Sequence, residues 1–256
     1  MCQAGSVPDP TVTVTFAGCG DAFGSGGRFQ ACIHIRSAGL DAPVLLDCGA
    51  TSLTALRQCG LDPGEIGAVF VSHLHGDHFG GLPFLILDGQ FSRRTAPLVV
   101  AGPAGTGQRL TEAMECLFPG SSQARRRFEV TVVELSSGRA ARVAGISADA
   151  WPARHPSGAP ALMLRLAIGG KVIAYTGDTA WTPAIGAAAL GADLLIAEAY
   201  YWDKDVPHHL RYADLVEHEG DIAARRVVLT HMSADMLGRQ QQASHETARD
   251  GLIIEV

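Results

Sequence analysis

The sequence predicts an α+β fold in which two sheets pack face to face and helices cover them from outside. Strand-like runs come first and are separated by glycine-rich turns. Helices then alternate with strands in each half of the chain. Several chemistry-bearing residues sit just past a strand, as they do when strands share a sheet edge and deliver side chains to one place. Two sheets with helices outside let every element bury its apolar face.

Taken in order, residues 11–17, 29–36 and 43–47 read as strands. Residues 68–72 form a short apolar strand that ends at His73, and 98–101 form another. Thr106–Leu117 has helical spacing and stops at Pro119-Gly120. In the second half, 161–168 and Lys171–Tyr175 flank Gly169-Gly170 as a hairpin. Residues 182–190 read as a helix and 193–197 as an apolar strand. The stretch 211–219 is an amphipathic helix, 225–230 a strand ending at His231, and Leu252–Glu255 a last strand. With no low-complexity linker or break in composition, 1–256 reads as a single domain.

Composition sets limits on function. The chain has 256 residues, 47% of them hydrophobic, and 30 glycines, an ordinary globular balance rich in turns. A formal charge of −6 lacks the basic footprint that dominates nucleic-acid affinity, and Arg125-Arg126-Arg127 reads as a solvated face. Aromatics at 6% give no obvious basis for stacking on exposed bases. Cys2, Cys19, Cys32, Cys48, Cys59 and Cys116 form no CxxC pair and read as small buried residues of a reducing compartment. Met1 to Pro10 lacks the basic and apolar regions of a signal peptide, and no apolar stretch approaches the ~20 residues that span a bilayer. The expected location is the cytoplasm, with no membrane partner.

The strongest motif is His73-Leu74-His75-Gly76-Asp77-His78. Imidazole and carboxylate are standard zinc ligands and also suit iron and manganese. In an extended turn His73 and His75 point the same way and can share an ion. Asp77 and His78 follow as the chain tightens, a spacing compatible with two ligands to each of two adjacent ions. Further ligands must come from elsewhere, and His155, Asp178 and His231 are the best placed. His34, His218 and His245 read as surface or satisfied core residues.

These residues resemble the metallo-β-lactamase-fold hydrolase superfamily. The six-residue segment matches that family's HxHxDH signature, and His155, Asp178 and His231 match its later ligand positions in order. Asp47, at an early strand end, matches a residue that supports a ligand rather than binding metal. The resemblance covers the chain from Phe16 to about Leu237 and implies an αββα sandwich with the site at one edge of its sheets. It implies two divalent ions, zinc foremost with manganese and iron as alternatives. His73, His75 and His155 would hold one ion, Asp77, His78 and His231 the other, and Asp178 would bridge them. A metal-activated water would be the nucleophile, and Asp77 could orient it or take its proton.

Glu198 and His209 narrow the branch. Glu198 follows a strand, and His209 precedes His231 at a spacing that resembles ribonuclease Z and the cyclic-phosphate diesterases of phosphonate catabolism. The resemblance implies that His209 assists at the scissile phosphate while Glu198 holds its ring, although His208 competes for the role. The glycine-rich loop 18–28 resembles the opening loop of the same branch, and Arg28 could reach a phosphate there. A tight structural turn is an equal reading of that loop. The basic arm with which ribonuclease Z clamps transfer RNA has no counterpart in this sequence, which favours a small-molecule phosphodiester or cyclic phosphate. The alternatives are a thioester or lactone hydrolase on the same metal site, a transfer-RNA 3′ endonuclease, and a di-iron dioxygen-binding redox protein. The resemblance also admits a homodimer.

Overall fold

The computed structural model describes residues 11–256. The readings of Cys2 and of Met1 to Pro10 fall outside the described residues. The strands, in chain order, are β1 (Val12–Gly18), β2 (Cys32–Ser37), β3 (Val44–Leu46), β4 (Ala68–Phe70), β5 (Leu98–Gly102), β6 (Val130–Glu134), β7 (Ala141–Val143), β8 (Ile146–Pro152), β9 (Leu162–Ile168), β10 (Lys171–Tyr175), β11 (Leu194–Glu198), β12 (Val227–Thr230), β13 (Glu246–Thr247) and β14 (Leu252–Glu255). They form two seven-stranded sheets, ordered β14-β1-β2-β3-β4-β5-β6 and β13-β12-β11-β10-β9-β8-β7. Each sheet opens with antiparallel pairs and continues with parallel ones: β3 to β6 are parallel in the first sheet and β10 to β13 in the second. Parallel neighbours need crossovers, and the helices lie in several of these.

The period of two in the strands sorts the core into layers. Ala68 and Phe70 of β4 face the core between the sheets, whereas Val69 faces outward. Ile173 and Tyr175 of β10 and Leu194 and Ile196 of β11 meet them from the second sheet. The outer face of the first sheet packs against α1 (Ser52–Gln58), α2 (Gly76–Phe79), α3 (Leu82–Phe91) and α4 (Thr106–Leu117), with Leu56, Phe79, Ile86 and Met114 inserted against Val69 and Val100. The second sheet's outer face, with Ala174 and Leu195, is covered by Ile185, Leu215 and Met236 from α5 (Ala184–Ala189), α6 (Tyr212–Glu217) and α7 (Ala234–Arg239). The result is the αββα sandwich. Each fully buried Leu, Ile or Phe contributes about 1.5–3 kcal/mol of transfer free energy to that layering.

The sequence expectations and the structure differ where periodicity is weak. α1, α2, α3, α7 and β6 to β8 were not anticipated. α3 buries Leu82, Pro83, Leu85, Ile86 and Gly89, which is too broad a face to show a helical stripe, and Pro83 sits in its first turn. β8 does alternate, but two of its three inward residues are Ala148 and Ala150, too small to stand out from the polar residues between them. β2 starts at Cys32 rather than 29, because residues 20 to 30 belong to the glycine-rich loop, closed by an isolated bridge between Gly20 and Gln30.

Candidate metal centre

The parallel strands deliver the site. β4 runs into Val71-Ser72-His73, β10 into Thr176-Gly177-Asp178, and β12 directly into His231, while Glu198 is the last residue of β11 rather than one past it. β4 belongs to the first sheet and β10 to β12 to the second, so the cluster forms where the two sheets share an open edge. Two glycines permit the close approach. A Cβ at Gly177 would lie 2.8 Å from that of Ser72, and one at Gly49 would lie 2.2 Å from the carbonyl oxygen of Asp77.

Hydrogen bonds fix which ring nitrogens face inward. Asp47 is fully buried and accepts from the Ser72 amide at 2.7 Å, the Ser72 hydroxyl at 2.8 Å, His78 Nδ1 at 2.6 Å and the Tyr175 hydroxyl at 2.8 Å. Because the Ser72 hydroxyl donates to Asp47, it accepts from His73 Nδ1 at 3.1 Å, which leaves His73 Nε2 as the bare nitrogen. His155 Nδ1 donates to the His208 carbonyl at 3.0 Å, and its Nε2 lies 3.0 Å from His75 Nδ1. His73, His75 and His155 thus converge, their ligand atoms all within 4.8 Å of one another.

A second set adjoins the first. His78 Nε2 lies 3.2 Å from His231 Nε2, and His231 Nε2 lies 3.1 Å from an Asp77 oxygen. Asp178 spans both sets. Its Oδ1 is 3.2 Å from His78 Nε2 and 3.5 Å from His231 Nε2, and its Oδ2 is 3.9 Å from both His73 and His155. Asp77, His78, Asp178 and His231 satisfy the same 4.8 Å criterion among themselves.

The electrostatics of the cluster balance buried carboxylates against the imidazoles. Burial opposes charge on His231, but the Asp178 carboxylate, the hydrogen bond to Asp77 and the Glu198 carboxylate 3.6 Å away override it and raise the ring to about 10. His78 is raised in the same way, against burial, by Asp178, Asp77 and Asp47. Burial would raise Asp77 and Asp178, yet the imidazoles hold both carboxylates well below the ordinary range. In the first set the balance reverses: burial and the neighbouring His78 lower His73. Its buried Nε2 has no hydrogen-bond partner, a costly state for a polar atom unless a ligand meets it. Nitrogen and carboxylate donors at these spacings fit divalent zinc, iron or manganese.

Beside the second set, His209 Nδ1 bonds to Glu198 Oε1, and the other carboxylate oxygen of Glu198 accepts from the amides of Thr179 at 2.9 Å and Leu210 at 3.2 Å. His209 Nδ1 lies 4.0 Å from Asp178, and Tyr200 stacks on the ring with centroids 4.5 Å apart. Burial lowers the His209 ring, but the Glu198 hydrogen bond and charge outweigh it and the net shift is upward. His208 turns away through a left-handed backbone (φ 70°) and contributes its carbonyl instead. A cavity of about 180 Å³ opens here, lined by Ala22, Phe23, His75, Asp77, His155, Asp178, Tyr200, His209 and His231.

The Arg28 guanidinium donates to the Ala248 carbonyl at 2.8 Å and to Gln240 at 3.2 Å, which ties the glycine-rich loop to the C-terminal segment, and Arg28 is not among the residues that line the cavity. Sequence reasoning missed Ser72, Tyr175 and Tyr200. A tyrosine ending an otherwise apolar strand needs a partner for its hydroxyl, and that was the available signal for Tyr175. His34 is buried with Nδ1 unpartnered, and burial lowers it to about 4, so it is neither the surface residue nor the satisfied core residue that the sequence suggested.

Residues 43–232 match the family model described as a beta-lactamase superfamily domain, and the chain belongs to that superfamily. Among individual proteins it is similar to the ribonuclease Z of Shouchella clausii, 26% identical over 80% of this chain and 81% of that one. It is also similar in structure to the short form of human tRNase Z, with a TM-score of 0.72 and 26% identity over 94% and 98% of the two chains. The metallo-beta-lactamase fold protein YhfI of Bacillus subtilis superposes with a TM-score of 0.78 at 20% identity, covering 96% of this chain and all of that one, which speaks to the fold. The superfamily and these relatives make the chain an enzyme of the hydrolase class. Among the described residues, no helix is long and apolar enough to cross a membrane.

Proposed function

We propose that the protein is a dinuclear metal-dependent phosphodiesterase acting on a small phosphodiester or cyclic phosphate. The observation that carries this reading is the Glu198–His209 pair, an acid–base couple set against the Asp178 cluster at the cavity wall. His73, His75 and His155 would hold one ion, Asp77, His78 and His231 the second, and Asp178 would face both. Two divalent ions there, zinc first with manganese or iron fitting the same donors, would supply an acidified water and positive charge for the phosphoryl oxygens. Asp77 orients the attacking water or accepts its proton. His209, whose protonated form the Glu198 carboxylate favours, would donate a proton from its free nitrogen to the departing alkoxide. Asp47 sets the orientation of His78 and, through Ser72, of His73.

One observation favours a second reading, cleavage of RNA: the ribonuclease Z of Shouchella clausii aligns over about four fifths of both chains. Against it stand the −6 charge and the segment between His78 and His155, which is taken up by α3, β5, α4 and β6 to β8 and carries no basic arm. The cysteines described are all free, which supports a reducing, cytoplasmic setting. We read the chain as one domain, and a homodimer is compatible with it.

The test is hydrolysis of bis(p-nitrophenyl) phosphate and of 2′,3′-cyclic nucleotides by protein loaded with zinc or manganese. Turnover is expected, and Asp178→Ala should abolish it. Inactivity of the loaded wild type on every phosphodiester, with activity on thioesters or lactones, would refute the proposal.

A further inference from the structure

The cavity over the histidine–aspartate cluster is small and opens to solvent. Its volume of about 180 Å³ compares with roughly 300–1,000 Å³ for sites that enclose a small organic ligand, and one water occupies about 30 Å³ of liquid. A phosphoryl group fits inside, and the rest of the molecule must lie across the rim. Phe23 stands on that rim, lining the cavity while its side chain is turned to solvent at 84% exposure. Single exposed apolar residues are common, and exposure alone decides nothing. What distinguishes Phe23 is that a built turn holds its backbone in place at the cavity mouth.

Asp21, 1% exposed, accepts from the Phe23 amide at 3.2 Å, the Ser25 amide at 2.8 Å and the Ser25 hydroxyl at 2.7 Å. Gln30 Nε2 donates to the Ala22 carbonyl at 3.2 Å, on the other side of the phenyl-bearing residue. Gly24 and Gly26 take left-handed φ values of 67° and 68°, which close the turn directly after Phe23. The Arg28 tie to Ala248 anchors the far end. Presenting a large apolar side chain to water, at the mouth of a polar site, costs free energy that a bound ring recovers by stacking.

We infer that Phe23 is a specificity-determining residue: its ring forms a stacking platform for a planar group, a nucleobase, carried by a small phosphodiester whose phosphoryl group enters the metal cavity. This rests on the phosphodiesterase reading above and adds the substrate's second half to it. Stacking on an aromatic face tolerates any base, so the platform selects for nucleotides over sugar phosphates without selecting among bases.

The test is calorimetric binding to the manganese-loaded full chain, with adenosine 5′-monophosphate and ribose 5-phosphate as probes. Both carry the same phosphate and ribose, and only one has the ring. The wild type should bind the nucleotide about tenfold or more tightly than the sugar phosphate. Phe23→Ala should remove that advantage and leave the sugar phosphate unchanged, and Phe23→Trp should restore it. Equal affinities in the wild type, no binding of either probe, or an Ala variant that keeps its nucleotide preference overturns the inference. The readout needs no turnover, so a wild type that binds the nucleotide through Phe23 yet hydrolyses no phosphodiester counts against the proposed function and leaves the platform standing.

Discussion

His209 has two ring nitrogens with different surroundings: Nδ1 is held by Glu198, and the other is left for the cavity that the ring lines. The carboxylate raises the ring against the effect of burial, so the protonated form persists further into neutral pH than an unassisted histidine would allow. A general acid of this kind works below its own pKa, and activity declines as pH rises through that value. Replacing Glu198 with Gln preserves a hydrogen bond but removes the charge, so the His209 pKa falls and the alkaline limb of the kcat profile moves to lower pH. At the upper end of the profile the loss should approach the ~10²-fold or more that a positioned acid contributes. An alkaline limb that stays in place in Glu198→Gln would disprove the role assigned to the pair. His78 and His231 work in the opposite direction for metal. Protons raised on those rings must leave when a cation binds, so metal affinity weakens as pH falls, which chelator-competition titrations at two pH values can measure.

The strand ends matter because a single carboxylate joins three of the elements that carry them. Asp47 follows β3 and bonds to Ser72 after β4, to His78 in α2, and to Tyr175 at the end of β10 in the other sheet. It sits in a left-handed conformation (φ 58°), and so does His231 (φ 54°) just past β12. Asp and His enter that region more readily than most side chains but still uncommonly, and such backbone persists where surrounding bonds over-determine it, as the Asp47 amide bond to Phe70 and the His231 amide bond to Cys19 do here. Asp47→Ala removes the common acceptor and strands buried donors, at about 1–3 kcal/mol for each donor left unpaired. His73 and His78, the proposed metal ligands, then lose their fixed orientation. Metal affinity should fall about 10–100-fold, measured by competition with a chromophoric chelator. Retention of wild-type affinity would show that the ligands are oriented by packing alone.

Both sheets contribute candidate ligands, so ions bound at the cluster would link them across their open edge. Ions held at a hundred times their Kd stabilise the native state by about 2.7 kcal/mol. For a chain of this size that corresponds to roughly 5–10 °C in Tm, and a strong chelator should lower the calorimetric Tm by about that amount. A Tm indifferent to chelator would mean that the cluster holds no ion in the folded protein. Much of this arrangement was legible in the chain. The strands that alternate large residues with polar ones, the helix Thr106–Leu117 and the six-residue histidine segment announce themselves through periodicity and spacing, which are local properties. The elements that escaped notice, α3 and β8 among them, are those whose burial is set by what packs on them rather than by their own pattern. At the site, local sequence determined that His73, His75, Asp77 and His78 would lie together, because they are neighbours along the chain. Only the tertiary structure decided that His209 and not His208 faces the cluster, that Arg28 is spent on Ala248 and Gln240, and that Phe23 stands at the cavity mouth. Each of these depends on contacts between residues distant in sequence, and the direction of a side chain follows from the backbone conformation and packing that those contacts impose.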